Sequence, residues 1–207
     1  RYSTDKKWII PHFEKMLYDN GQLLELLSNM YSITKKERFK GVIEETIKWV
    51  SDEMTNNSGG FYSSIDADSE GKEGKYYLWD YDEIKNILNK EDIELAKNIF
   101  KISLEGDLNK KIILKRKYFS SENKDEINYL KRKLLKIRES RVKPVTDKKI
   151  ILSWNSIMLK GILSSYQATG NEKFLSIAMK NAEFLKNEFL KKKNLKRIHN
   201  SKINAFL

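Results

Sequence analysis

Three short segments of the chain place polar and aromatic side chains close together in a way that ordinary packing does not require. In the first, His12 and Glu14 follow Pro11, and Asp19 and Asn20 come soon after. Histidine titrates near neutrality, and a carboxylate beside it can move its charge across pH 7, so His12 is a candidate proton-transfer group. Asp19 and Asn20 lie in an otherwise apolar stretch, where carboxylate and amide groups are costly to bury unless they are paired or line a wet cavity. In the second segment, Asp66 and Asp68 form a carboxylate pair able to act as general acid and base or to bind sugar hydroxyls, and Tyr62 and Trp79 flank it. The third holds Trp154 and Asn155. An aromatic face beside amide and carboxylate groups is the usual furniture of a saccharide cleft, and Trp8 would suit it too.

Each residue also has a structural alternative. His12 would serve equally as a buried hydrogen-bonding residue, Asp19 and Asn20 as a local cap, Asp66 and Asp68 as a turn, and Trp154 as core. The run Asp66-Ala67-Asp68-Ser69-Glu70-Gly71 imitates the opening of a calcium loop, but Tyr77 stands at the twelfth position, where a bidentate Glu is needed. We therefore assign no metal and no cofactor. His199 has no local partners in sequence and reads as a surface residue.

The elements that must position these groups are mainly helical. Pro11 is expected to open a helix over 13–31, with His12 and Glu14 in its first turn. Leu17, Leu23, Leu24, Leu26, Leu27, Met30 and Tyr31 cover more than one stripe of that helix, which predicts burial on two sides. Thr34 and Glu37 offer a capping box for a second, one-sided helix through Phe39, Ile43, Ile47, Val50 and Met54. Asn56-Asn57-Ser58-Gly59-Gly60 stops it. Phe61-Tyr62-Ser63 and Lys75–Trp79 predict an inserted β-hairpin. Asp80 and Glu83 can cap a further helix, and others are expected over 93–100, 123–138, 153–166 and 172–190. Ile112-Ile113-Leu114 is a candidate short strand.

The segments RYSTDKKWIIPHFEKMLYDN, GGFYSSIDADSEGKEGKYYLW and SWNSIM together resemble the spermatogenesis-associated protein 20 family, also called thioredoxin-domain-containing proteins. The resemblance covers most of 1–189. It implies a partial α/α toroid similar to six-hairpin glycosidases and N-acylglucosamine 2-epimerases, with a small inserted β-hairpin. It also implies that residues 1–207 are part of one toroid domain cut at both ends, that a thioredoxin-like domain precedes them, and that apolar residues meant for absent hairpins are exposed. Sugar binding, isomerisation or hydrolysis would follow, with Asp66, Asp68, His12 and Asp19 in catalysis and Trp79, Trp154, Asn155, Asn20 and Tyr62 on the substrate. The alternative is a non-catalytic scaffold for the thioredoxin-like domain or a protein partner, with the carboxylates engaged by backbone amides. Three positions depart from the family pattern: Lys148 replaces the second Asp of Asp-Asp-Lys, Ser156 replaces the Gly of Trp-Asn-Gly, and Asp107 replaces an Asn after Gly106.

Composition limits the alternatives. A chain of 207 residues with 40% hydrophobic and 33% charged residues can bury a sizeable core. No apolar run approaches the roughly 18 residues that span a bilayer, so a cytoplasmic setting is expected. With no cysteine, disulfides, thiolate metal sites and a thiol nucleophile are excluded within these residues. The net charge of +11 is uneven, −5 over residues 1–100 and +16 over the rest. Lysines and arginines of 131–143 alternate with Leu134 and Ile137 at helical spacing, which reads as a solvated helix face rather than a nucleic-acid surface, since no readout motif or stacking aromatics accompany the charge.

Overall fold

A computed structural model describes residues 2–102, 105–117, 124–190 and 195–200. The described residues are mainly α. Secondary structure runs β1 (Lys15–Met16), α1 (Leu17–Thr34), α2 (Glu37–Glu53), β2 (Ser64–Ile65), β3 (Asp68–Ser69), β4 (Lys72–Glu73), α3 (Tyr81–Ile87), α4 (Lys90–Ile99), β5 (Phe100–Lys101), β6 (Lys115–Arg116), α5 (Lys124–Arg138), β7 (Thr146–Asp147), α6 (Leu152–Thr169) and α7 (Glu172–Leu185). A π-helical turn, Lys186–Leu190, extends α7. The expected start at Asn123 lies outside the described residues. The region read from sequence as one domain gathers into two compact units, Arg1–Glu14 with Asp66–Val145, and Lys15–Ile65 with Thr146–Leu207.

The second of these units is built from two helical hairpins, α1 with α2 and α6 with α7. Leu17, Leu24, Ile43, Ile47, Val50, Met54, Met158 and Ile162 form its core. Burying side chains of this size contributes on the order of 1.5–3 kcal/mol each. At the α1/α6 crossing the backbones nearly touch. A Cβ on Gly21 would sit 2.8 Å from Met158 Cα, and one on Gly161 would strike the Gly21 carbonyl oxygen. Further along the same pair, the buried hydroxyls of Ser28 and Ser165 hydrogen bond at 3.0 Å. Helix α1 is apolar on two sides, but the burial expected for both is not found on its outer side, where Leu23, Leu26, Met30 and Ile33 are exposed. A three-stranded antiparallel sheet ordered β1-β2-β7 completes the unit, pairing Lys15 with Ile65 and Ser64 with Asp147.

The other unit has separate cores. Trp79, Ile84, Leu88, Ala96, Phe100, Ile112, Ile127, Leu130 and Leu134 draw α3, α4 and α5 together. Phe13, Ala67 and Ile113 make a smaller cluster with Ile10 and Tyr77. An independent core is the physical reason that residues 66–145 stand as a body rather than as a loop between hairpins.

Several local expectations are corrected. The first helix starts at Leu17 rather than at Pro11. Pro11 instead forms an antiparallel bridge with Ser3, and the Leu17 N–H donates to the Ser63 carbonyl at 2.9 Å, so residues 9–16 are extended and Asp19 falls in the first turn of α1. The Thr34–Glu37 capping box does not form, because α1 runs on to Thr34 and the Thr34 hydroxyl donates to the Met30 carbonyl at 2.6 Å. Asp80 and Glu83 do form theirs. The β-hairpin is present but shifted inward to β3 and β4, where Glu70 and Gly71, both at positive φ, supply its two-residue turn. Its predicted aromatic strands are diverted to packing: Phe61 and Tyr76 are buried.

The two glycines of α2 and α6 should respond oppositely. Gly161→Ala is expected to destabilise the chain by about 1–3 kcal/mol, since its methyl meets helix backbone. Gly41→Ala, with nothing within 4 Å of its Cβ, should be neutral or stabilise α2 by up to about 1 kcal/mol. Urea unfolding of the two variants checks the contrast.

Candidate functional site

His12 is the candidate with the most suggestive surroundings. The chain enters it from a short two-stranded loop in which the His12 N–H donates to the Tyr2 carbonyl at 3.0 Å and the Thr4 N–H to the Ile10 carbonyl at 2.8 Å. Phe13, the next residue, is packed so closely to Gly74 that a Cβ there would lie 2.6 Å from its ring. This contact holds the loop beside β4. Nδ1 of His12 accepts the Glu14 N–H at 3.1 Å and lies 3.7 Å from Glu73 Oε1. The Tyr2 ring meets the imidazole edge-on, centroids 4.8 Å apart.

With Nδ1 accepting, the neutral ring carries its proton on Nε2. Nε2 has no hydrogen-bond partner among the described residues, and the side chain is 21% exposed. Protonation at Nδ1 would exchange the amide donor for the Glu73 carboxylate. The ring is thus oriented on one nitrogen and open on the other. Glu73 was not singled out from sequence, although it lies in the same acidic segment as Asp66 and Asp68.

Asp66 and Asp68 are both exposed and alternate with buried Ala67 and Ser69, Asp66 lying between β2 and β3 and Asp68 opening β3. Asp66 Oδ1 accepts the Asp68 N–H at 3.2 Å, and the Asp66 N–H donates to the Val145 carbonyl at 2.9 Å. Asp66 therefore shapes its own turn, and Asp68 keeps its carboxylate in solvent. Trp79 is corrected from a substrate platform to a core residue. It is 3% exposed, exchanges two backbone hydrogen bonds with Ile112, and carries the Arg141 guanidinium 4.1 Å from its ring centroid. The same guanidinium donates to the Tyr76 and Leu78 carbonyls at 2.9 and 2.7 Å and pairs with Glu83 at 2.6 Å. Arg141 and Arg138, which stacks on Tyr76 and Tyr77, are thereby taken out of the basic face expected over 131–143.

The remaining candidates belong to the helical-hairpin unit. Trp154 meets Tyr18 edge to face, with centroids 4.8 Å apart, and both stay partly open beside half-buried Asp19. Asn20 donates to the Met16 carbonyl at 2.7 Å, and Tyr62 packs against the cluster of Ile150, Phe184 and Phe189. Asn155 is corrected from a ligand-facing amide to a structural one. It is 0% exposed. Its Oδ1 accepts the Phe61 N–H at 2.8 Å and an Asn181 Nδ2–H at 3.2 Å, while its Nδ2 donates to the Phe61 and Ile151 carbonyls, both at 3.0 Å. Asn181 also holds the Gly59 carbonyl at 2.7 Å. Nothing in the sequence marks Asn181, since it is an ordinary polar position in a helix.

Of the three departures from the family pattern, Asp107 and Ser156 make local contacts, and nothing in the structure explains Lys148, which stands beside a paired Asp147. The Asp147 carboxylate accepts the Lys149 N–H at 3.1 Å and its ammonium at 2.8 Å, which hold its pKa below the usual carboxylate range. Asp107 accepts the Ile113 N–H at 2.9 Å and pairs with Lys115. Ser156 is exposed and bonds back to the Leu152 carbonyl at 3.0 Å.

No family model matches the chain. An uncharacterized Caenorhabditis elegans protein, B0495.5, is 32% identical over 89% of this chain and 30% of its own length. Human spermatogenesis-associated protein 20 is 28% identical over 90% of this chain and 28% of its own length, and the mouse protein of that name 29% identical over the same shares. The chain is a homologue of spermatogenesis-associated protein 20. It spans less than a third of the length of the curated relatives it matches. Among solved structures, a D-mannose isomerase matches at 14% identity and a TM-score of 0.28, covering 86% of this chain and 41% of the enzyme. A cellobiose 2-epimerase from Spirochaeta thermophila matches at 8% and 0.28, covering 95% and 49%.

Two consequences are testable. Asn155→Ala strips the Phe61 N–H and carbonyl of buried partners, and about 2–5 kcal/mol of stability should be lost in chemical denaturation. Asp5 accepts the Ile10, Ile9 and Lys7 N–H groups and the Ser3 hydroxyl, which lower its pKa from the usual 3.8 to about 2. A depressed carboxylate stabilises the fold above its unfolded pKa and loses that contribution as pH falls through the folded one. Between pH 4 and 2 the wild-type chain should therefore lose stability that Asp5→Asn does not lose, read as converging thermal midpoints.

Proposed function

We propose that this chain is a segment of a helical, α/α-toroid domain that binds a saccharide and moves a proton on it, with His12 as the proton-transfer group. One observation carries the reading: His12 Nε2 is open beside solvent, and Glu73, 3.7 Å from Nδ1, can hold a proton on that nitrogen, which leaves Nε2 free to take a proton from the substrate and return it. Isomerisation or epimerisation, which needs a proton taken from and returned to carbon, suits a single histidine better than hydrolysis, which needs a working pair of carboxyl groups. Asp68 is the carboxylate of the pair best free to meet hydroxyls, with Asp66 ordering its turn. The helical hairpins α1/α2 and α6/α7 are taken as two hairpins of the toroid. The longer protein would add the thioredoxin-like domain, and a cytoplasmic setting suits a chain with no cysteine.

A second reading, a non-catalytic scaffold, is favoured by a different observation. Asp5, Asp66, Asp107 and Asp147 all accept backbone amides, and Asn155 has every polar group engaged within the protein.

Calorimetry with glucose, mannose, N-acetylglucosamine and cellobiose separates the two. Saccharide binding is expected for the wild type, weakened by Asp68→Asn, together with isomer formation detected by NMR that His12→Gln slows by about 10²–10⁴-fold with affinity little changed. A wild-type chain that binds none of the four sugars leaves the scaffold reading in place.

A further inference from the structure

The tip of the loop that leads to His12 is built at a conformational cost that its residue types do not require. Trp8 has φ +56°, in the left-handed region, and is 80% exposed. That region is natural to Gly and, less so, to Asn, and is strained for an ordinary L residue. A tryptophan can offset such strain by burying its large ring, but this one is left in solvent. Neither backbone preference nor packing accounts for Trp at position 8.

The rest of the tip is held firmly. The Trp8 N–H closes the turn onto the Asp5 carbonyl at 3.3 Å, and the Asp5 carboxylate takes the Lys7, Ile9 and Ile10 amides at 2.8, 2.8 and 2.7 Å. Ser3 bridges Pro11 below, and Ile10 packs on the Phe13–Ala67–Ile113 cluster. The one negative charge of the tip is therefore turned inward. Lys6 and Lys7 are exposed and have no ion pair among the described residues. The tip thus offers solvent an indole and two ammonium groups on a rigid turn. An indole face suits the C–H face of a sugar ring, and uncompensated ammonium groups suit an anion.

We infer that Trp8, Lys6 and Lys7 form a recognition tip for a saccharide bearing an anionic group, a sugar phosphate before all others. This inference rests on the saccharide reading above and narrows its ligand class. Trp8 stacks on the ring, Lys6 and Lys7 read the phosphate, and the strain at position 8 is what keeping a large aromatic there costs the fold.

The test pairs stability with binding. Thermal melts of Trp8→Gly should rise by about 2–4 °C. The same variant should bind glucose 6-phosphate and N-acetylglucosamine 6-phosphate at least about tenfold more weakly in calorimetry, with Trp8→Phe intermediate. Replacing Lys6 and Lys7 by Ala should weaken both phosphates and leave glucose and N-acetylglucosamine within about twofold. A lower melting temperature for Trp8→Gly, unchanged sugar-phosphate affinity in it, or inorganic phosphate binding as tightly as the sugar phosphates would each overturn the inference. If neutral sugars bind and are turned over through His12 while Trp8→Gly changes nothing, this inference alone fails. If the wild type binds no sugar, neutral or phosphorylated, the parent reading fails with it.

Discussion

The helical-hairpin unit depends on a paired exchange between one buried side-chain amide and one peptide group. Asn155 gives and takes a hydrogen bond with Phe61, at 3.0 and 2.8 Å, much as a neighbouring strand would. The segment that it holds is also fixed by Asn56, whose carboxamide oxygen takes the Ser58 and Gly60 amides, and by the buried Phe61 ring. Gly60 lies so near the Phe184 ring and Ile150 that a Cβ would come within 2.6 and 2.8 Å of them, and Gly59, at φ +98°, comes as near to the Lys180 backbone and side chain. Gly59 and Gly60 cannot anchor themselves by apolar burial, so the peptide groups around them must be paired, and Asn155 and Asn181 supply partners from α6 and α7. Leaving such groups unpaired in the interior costs more than making the bonds gains. The constraint passes along the chain, because Phe61 leads directly into β2, and β2 organises the sheet with β1 and β7.

The same constraint explains which parts of the fold were legible in the sequence. Helices α2, α4, α6 and α7 were readable because repeated apolar positions directly encode a buried face, and Gly170, at φ +69°, marks the end of α6 as glycine usually does. The two apolar sides of α1 were readable for the same reason, but its outer side, with Leu23, Leu26, Met30 and Ile33, is exposed rather than buried. Its start was not, since Pro11 satisfies a helix N-terminus and an extended bridge equally well. Only the distant partner Ser63, which takes the Leu17 N–H, decides between them. The hairpin strands were misplaced because aromatic residues favour both strands and cores, and Phe61 and Tyr76 went to cores.

Residues of the candidate site divide along similar lines. Trp154, Tyr62 and Asn20 keep partial exposure, while Trp79 and Asn155 were drawn inward by partners far away in sequence. A tryptophan on a sequence reads as a platform until Arg141, 62 positions later, is known to lie over it. That arginine itself looked like part of a solvated basic run. Charge density in sequence measures how many cations there are, and not which of them end on a ring, a carbonyl or a carboxylate. Lys133 makes the same point, since Asp92 on α4 takes its ammonium at 2.6 Å and raises its pKa.

Carboxylates that accept several amides are committed to shape, and their protons are of little use to a ligand. Asp5 is the extreme case, with three amides and a hydroxyl on one side chain. Asp147 and Asp107 follow, each held by an amide and a lysine. Set against them are Asp68, exposed on the hairpin, and Glu73, half exposed beside His12. The acidic groups of the hairpin are therefore unequal despite their shared sequence context: Asp66 folds the turn, and Asp68 and Glu73 face outward from it. His12 differs from all of these in being oriented through one ring nitrogen while the other stays open. Nδ1 accepts the Glu14 amide in the neutral ring that carries its proton on Nε2, and Nε2 can accept a proton only when Nδ1 carries one beside Glu73.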